Sequence, residues 1–174
     1  MKFFSKPAAL FITSFIMTCT GASAQATGPF NAVEELFAAM SAYNYHHMAE
    51  YATDDFQYLI NGKIETMDDL IRETKKTEGV MARRNYFSII DSRNHGNSVS
   101  VSFWYRSDLE SADGEKMSLA WLESAVVVKD GDSWKIEMLH STHLPDVSDI
   151  PRQVVMEEYV GDGAFKVAAS GIVE

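Results

Sequence analysis

Cysteine is almost absent from this chain of 174 residues: Cys19 is the single one, and it lies in an N-terminal segment that we expect to be removed. The mature chain would then have no disulfide, no thiolate metal ligand and no cysteine nucleophile. The sequence also lacks a Gly-x-Ser-x-Gly motif, a His-Glu-x-x-His motif and a glycine-rich phosphate loop. These absences argue against hydrolase, zinc-protease and nucleotide-binding functions.

Positive charge is scarce as well, because 15 lysines and arginines stand against 25 aspartates and glutamates, which gives a formal net charge of −10. The first 24 residues contain Lys2, Lys6 and no acidic residue, so their removal changes this charge to −12. An acidic surface repels nucleic-acid phosphates and anionic lipid headgroups. We therefore expect no nucleic acid as a partner and, after removal of this segment, no membrane.

Residues 1–24 have the three parts of a cleaved secretory signal peptide. Two lysines provide the positive start, residues 8–19 the apolar segment, and Ala-Ser-Ala at 22–24 the cleavage site. The apolar segment is shorter than the roughly 20 residues that a membrane-spanning helix needs. Cleavage after Ala26 is an alternative, and lipid attachment at Cys19 is a weaker one. We expect a periplasmic or secreted bacterial protein.

The remaining chain is long enough for one domain with a hydrophobic core, which we place at residues 25–145. Residues 146–174 form a C-terminal extension. Within this extension, residues 150–160 favour a short helix, and the small residues that follow favour a loose tail.

The clearest local pattern is a hairpin near the end of the domain. Two apolar runs, 117–128 and 134–139, flank Lys-Asp-Gly-Asp, and Asp-Gly between strand-like runs is a strong hairpin signal. The first run is apolar on both faces, which is typical of a central strand. In the second run, strict alternation places four side chains on the inner face: Trp134, Ile136, Met138 and His140.

Glu123 is the unusual residue of the first run, because it shares a face with Trp121 and Ala125. We expect this carboxylate to point inward. Since both faces of the run are apolar, alternation alone does not fix its direction, and a single bulge would turn it outward.

The hairpin is similar in sequence to a known family. Trp-Leu-Glu-Ser-Ala-Val, then Asp-Gly, then Trp-Lys-Ile and Leu-His-Ser-Thr resembles the last hairpin of the nuclear-transport-factor-2-like superfamily, and its SnoaL-like branch of largely unknown function in particular. The resemblance extends over residues 30–145. It implies a cone-shaped, strongly curved antiparallel sheet wrapped over a long N-terminal helix. In the ketosteroid isomerase branch, a strand aspartate acts as the general base. Ile60 takes the position of that aspartate here, which argues against steroid isomerisation by the same mechanism.

The rest of the chain agrees with this expectation. Apolar periodicity predicts one helix from Phe30 to Tyr51, capped by Asn31, and Thr66 caps a second, shorter helix. Four long strands joined by tight turns follow. The order predicts an α+β fold with helices on one face of an antiparallel sheet.

Glu123 and His140 are the candidate catalytic residues, since we expect both to point inward from adjacent strands. A desolvated carboxyl and a histidine both titrate near neutral pH. The candidate ligand-binding residues are Tyr43, His47, Tyr58, Tyr105 and Trp121. Such a site needs no metal and no organic cofactor. Tyr43 and His47 could instead complete the helix core, and Glu123 and His140 could form a structural pair or, for Glu123, a dimer contact.

These observations predict an exported homodimer that binds a small apolar molecule, with or without isomerase, dehydratase or cyclase activity. The alternative is a non-catalytic dimerisation or protein-association module. In that case the outer face of the sheet would form the interface, through Trp104, Leu122, Val126 and Leu139.

Overall fold

A computed structural model describes residues 28–161 of the chain. The helices are α1 (Asn31–Ser41), α2 (Tyr45–Glu50) and α3 (Met67–Lys75). The strands are β1 (Ala52–Ile60), β2 (Lys63–Glu65), β3 (Met81–Asn94), β4 (Ser98–Ser111), β5 (Lys116–Asp130), β6 (Ser133–His143) and β7 (Glu157–Tyr159). The predicted signal peptide and loose tail lie outside the described residues.

The seven strands form one curved, open sheet in the order β2-β1-β6-β5-β4-β3-β7. All neighbouring strands are antiparallel except β1 and β6, which run parallel. The predicted α+β class and the cone-shaped sheet are confirmed. Within residues 28–161, no helix is long and apolar enough to cross a membrane.

The inner face of the sheet carries the core. Along β4 every second side chain is buried, and Phe103 at its centre is completely buried. Helix α1 covers this face with Val33, Leu36 and Phe37, all of which belong to the same hydrophobic cluster. Burial of such side chains stabilises the fold by roughly 1.5–3 kcal/mol each.

The predicted long first helix is wrong, because the chain breaks between α1 and α2. Tyr43 has a φ of 54°, a left-handed conformation that interrupts a right-handed helix. Asn44 then starts α2, and its side chain accepts a hydrogen bond from the backbone N–H of His47. The predicted cap at Asn31 is also wrong, since Phe30 holds the N-cap position and no side chain caps α1.

The predicted cap of the short helix α3 is confirmed. The Thr66 hydroxyl accepts from the backbone N–H of Asp69, and the Asp69 carboxylate accepts from the backbone N–H of Thr66. This reciprocal pair satisfies two backbone donors that the first turn of the helix would leave free.

One irregularity in β6 affects every side chain after it. Val127 pairs with Ile136, but Val126 pairs with Met138, so Glu137 is an extra residue in β6. Such a β-bulge shifts the alternation of faces. As a result Ile136, Leu139 and Ser141 are buried, whereas Glu137 and His140 are exposed.

The residues after 145 extend the sheet. The short helix predicted for 150–160 does not form, and Val147–Asp149 is instead a single 3-10 turn. Strand β7 pairs with β3 at the sheet edge. The Tyr159 hydroxyl donates to Glu35 on α1 and accepts from the Asn31 amide, which fixes the edge strand to the helix.

Candidate functional site

Glu123 lies in the middle of β5 on the inner face of the sheet and is 2% exposed. It is opposite Phe103 on β4 and Ser141 on β6. Its Oε1 accepts a hydrogen bond of 2.8 Å from the Ser141 hydroxyl. Its Oε2 is buried and has no hydrogen-bond partner among residues 28–161.

Burial raises the pKa of Glu123 from its ordinary value to about 8, and the Ser141 hydrogen bond opposes that rise. Removing water destabilises the charged form more than the neutral form, and no cation of the described chain offsets this effect. At neutral pH most of the protein therefore holds Glu123 as a neutral carboxylic acid, which can donate a proton as well as accept a hydrogen bond.

The predicted inward orientation of His140, and hence its pairing with Glu123, is wrong. His140 is exposed and lies opposite Ser124 on the outer face. The bulge at Glu137 is the physical reason, since it moves His140 outward and brings Ser141 inward. Met138, predicted to point inward, faces outward for the same reason, opposite Val126.

Tyr58 and Trp121 are both half-buried and pack against the hydrophobic core. Burial and the nearby Glu123 carboxyl raise the pKa of Tyr58, while a hydrogen bond with Ser141 opposes the rise. The Trp121 ring stacks on Tyr105 with centroids 5.0 Å apart. The predicted grouping of Tyr58, Tyr105 and Trp121 around Glu123 is thus present in the fold.

Tyr105 is more deeply placed than the other aromatic residues of this group. It is 2% exposed, and its hydroxyl donates to the side chain of Asn85, 2.8 Å away. The Asn85 amide donates in turn to Ser41 and to the Phe37 carbonyl on α1. Burial raises the pKa of Tyr105 to about 12, so at neutral pH it is a neutral hydroxyl engaged in this network.

Tyr43 and His47 do not join the site. The Tyr43 hydroxyl lies 2.6 Å from the backbone carbonyls of both Thr77 and Met81, so it ties the break after α1 to the start of β3. His47 is exposed and lies 3.5 Å from Glu50. The helix break accounts for both positions, because Tyr43 and His47 were predicted to lie on the apolar face of one continuous helix, and the break interrupts that face.

Sequence reasoning missed Ser141 and Asn85. Alternation from Phe87 along β3 places Asn85 inward, so the position of Asn85 could have been predicted from the sequence. The direction of Ser141 could not be predicted in this way, because it depends on the bulge in β6. Over residues 28–161, no group of three or more histidine, cysteine, aspartate or glutamate residues is arranged to hold a metal ion.

The group can support proton transfer to or from a ligand. Glu123 is the acid or base, and Ser141 and Tyr58 are hydroxyl donors next to it. The buried side chains around it are apolar and aromatic, which suits a ligand with little charge of its own near Glu123.

Comparison with known proteins extends the description of the fold. No protein-family model matches the sequence, and no curated protein matches it. Many solved structures are similar, and three of them follow. A ketosteroid isomerase-like protein from Erwinia carotovora atroseptica is 14% identical, with a TM-score of 0.54 over 67% of this chain and 93% of that one.

The second, an NTF2-like protein from Cytophaga hutchinsonii, is 16% identical, with a TM-score of 0.51 over 66% of this chain and 94% of that one. The third is an NTF2-like protein of unknown function in nutrient uptake from Rhodospirillum rubrum, 18% identical, with a TM-score of 0.56 over 68% and 99%. Identities this low show the fold alone, and the narrower SnoaL-like assignment stays a prediction. This chain therefore has the same fold as these NTF2-like and ketosteroid isomerase-like proteins.

Proposed function

We propose that this protein is exported and binds a small, largely apolar molecule inside its cone, with Glu123 as the acid or base group facing that molecule. One observation supports the proposal above all: the Oε2 atom of Glu123 is buried and has no hydrogen-bond partner within residues 28–161. Residues 1–24 support export, because they have the organisation of a signal peptide.

A purely structural role explains Glu123 poorly. Leaving a buried polar group without a partner costs roughly 1–3 kcal/mol, and an apolar side chain would fill the position without that cost. Among the described residues, Glu123 gains one hydrogen bond, from Ser141, and no cation lies beside it. A ligand hydroxyl, carbonyl or amine reaching Oε2 would satisfy the remaining atom.

A neutral carboxylic acid among apolar side chains is also the type of group that isomerases, dehydratases and cyclases use for proton transfer. Tyr58 would supply a hydrogen bond to an oxygen that gains charge, while the Ser141 hydroxyl keeps its hydrogen bond to Glu123. The base of the ketosteroid isomerase branch is not available at the end of β1, because Ile60 has no ionisable group. The proposed proton transfer therefore rests on Glu123.

Replacing Glu123 with Gln is expected to reduce the amount of ligand that copurifies with the mature protein. The amide keeps the size of the side chain but cannot donate a proton as the acid does, so we expect occupancy to fall by about fivefold or more. Native mass spectrometry of protein exported by a bacterial host would measure occupancy.

Glu137→Gln is the matched control for this experiment, since it removes an exposed carboxylate from the neighbouring strand. This variant should keep wild-type occupancy. An empty wild-type protein, or full occupancy in Glu123→Gln, would contradict the proposed binding role.

The alternative, an association module, is favoured by the outer face of the sheet. Leu122 is 39% exposed at the centre of that face and lies opposite Trp104. Leu139, predicted to belong to this face, does not, because it is 1% exposed in the core after the bulge. A large charged group at Leu122 would disrupt a dimer that uses this face without disturbing the core.

Leu122→Arg is therefore expected to convert a homodimer to a monomer while leaving the melting temperature of the protomer nearly unchanged. Size-exclusion chromatography with light scattering measures the change. Ile64→Arg is the control, because Ile64 is 72% exposed on the short edge strand β2. An unchanged oligomeric state in Leu122→Arg would exclude this face as the dimer interface.

A further inference from the structure

Arg83 is a cation on the inner side of the sheet that has no role in the site described so far. It lies near the start of β3, two residues before the buried Asn85 and directly opposite the buried Leu109. Alternation along an unbroken part of the strand therefore directs its side chain inward. The residue is half-buried.

The guanidinium of Arg83 has no carboxylate partner within residues 28–161. Other arginines of the protein do have one: the nearest carboxylate oxygen lies at 2.6 Å from Arg72, 2.7 Å from Arg93 and 3.1 Å from Arg106. A half-buried guanidinium without a counter-ion is costly, because it loses water and gains no ion pair in return. Its charge remains available to a ligand.

Arg83 also lies beside the aromatic part of the candidate site. Burial raises the pKa of Tyr105, and Arg83 counteracts that rise, which places the guanidinium near the Tyr105 hydroxyl. Tyr105 stacks on Trp121, and Trp121 contacts His143 edge to face with centroids 5.5 Å apart. A cation and a half-buried aromatic surface therefore adjoin the same side chain, Tyr105.

We propose that the molecule held in the cone carries a carboxylate, which Arg83 binds, and an apolar body, which lies against Trp121. The proposal rests on the proposed binding function and specifies its ligand class. A planar guanidinium matches a carboxylate with two parallel hydrogen bonds, which gives both affinity and orientation.

The charges of the protein make this local cation necessary for an anionic ligand. The chain as a whole carries a formal charge of −10, which repels anions at a distance. Inside the cone, Glu123 adds no negative charge at neutral pH, because its carboxyl is mostly protonated. Within the part of the chain that the structure describes, no ionised carboxylate therefore competes for Arg83 there.

Matched pairs of carboxylate and primary amide test the proposal without any mutation. We would measure binding of phenylacetate, phenylacetamide, hexanoate and hexanamide to the mature protein by isothermal titration calorimetry at neutral pH. The carboxylate of each pair is expected to bind about tenfold more tightly than its amide. Equal affinities would overturn the ligand class and leave the proposed binding function intact.

Two variants assign the effect to Arg83. Arg83→Gln should remove the preference for the carboxylate while the amides bind as before. Arg84→Gln is the control, since the Arg84 side chain is 62% exposed and lies 4.0 Å from Glu158. A carboxylate preference that survives in Arg83→Gln would overturn the assignment, and failure of all four compounds to bind would contradict both proposals.

Discussion

Raising the pH from about 5 to about 9 is expected to lower the free energy of unfolding through Glu123, by on the order of 4 kcal/mol. The pKa of Glu123 is near its ordinary value of 4.5 in the unfolded chain and about 8 in the fold, where burial is the main cause. Its favourable contribution is therefore fully present below pH 4.5 and is lost as the pH rises to 8. Urea unfolding at a series of pH values measures this loss.

Glu123→Gln should flatten the dependence, because an amide does not ionise. Relative to wild type, this variant is expected to gain stability as the solution becomes alkaline. Glu137→Gln should follow the wild-type curve, since Glu137 is exposed on the bulge. Parallel curves for wild type and Glu123→Gln would show that Glu123 is not protonated in the fold at neutral pH.

Asn85→Ala is expected to destabilise the protein by about 3–5 kcal/mol. Asn85 is completely buried and joins α1 to the sheet, because it donates to Phe37 and Ser41 and accepts from Tyr105. Its removal leaves the Tyr105 hydroxyl and the Phe37 carbonyl short of partners and opens a small cavity. Chemical denaturation measured by circular dichroism gives the change directly.

Asn94→Ala is the matched control, since Asn94 ends the same strand in an exposed position and its side chain accepts a hydrogen bond from the backbone N–H of Gly96. We expect it to cost less than about 1 kcal/mol. A double-mutant cycle with Tyr105→Phe should show a coupling energy of about 1 kcal/mol or more. Equal losses in Asn85→Ala and Asn94→Ala would mean that the network adds little to stability.

The four long strands β3 to β6 could be predicted from the sequence because the physical signals there are local. Alternation along β4 marks the inner face, and glycine-containing turns mark the ends of the hairpins. Gly131, for example, has a φ of 61°, which glycine adopts without strain. The cap at Thr66 is local in the same way.

The break in the first helix could not be predicted, because it depends on contacts distant in sequence. Tyr43 is an unfavourable residue for a positive φ, and its conformation is accompanied by hydrogen bonds from its hydroxyl to Thr77 and Met81. Periodicity carries no information about such contacts. It therefore continued the helix through the turn and placed His47 on the wrong face.

The candidate site was predicted in part for a related reason. Glu123, Tyr105 and Trp121 lie on β4 and β5, which pair without irregularity around these residues, so alternation gave their positions. His140 and Ser141 lie after the bulge in β6, where the same rule fails. The partner of Glu123 is therefore Ser141 and could be found only from the strand pairing.

The bulge at Glu137 also affects how related chains should be aligned with this one. Since Glu137 is the unpaired residue, a homologue that lacks it would keep Ile136 opposite Val127 and Ser141 opposite Glu123. Aligned without a gap, the residues of such a homologue that follow the bulge position would be shifted by one. Its inward-facing residues would then be matched with outward-facing residues of this chain. A one-residue gap at Glu137 therefore keeps the inward-facing residues aligned. Chains that differ in length by one residue at this position can share the same fold.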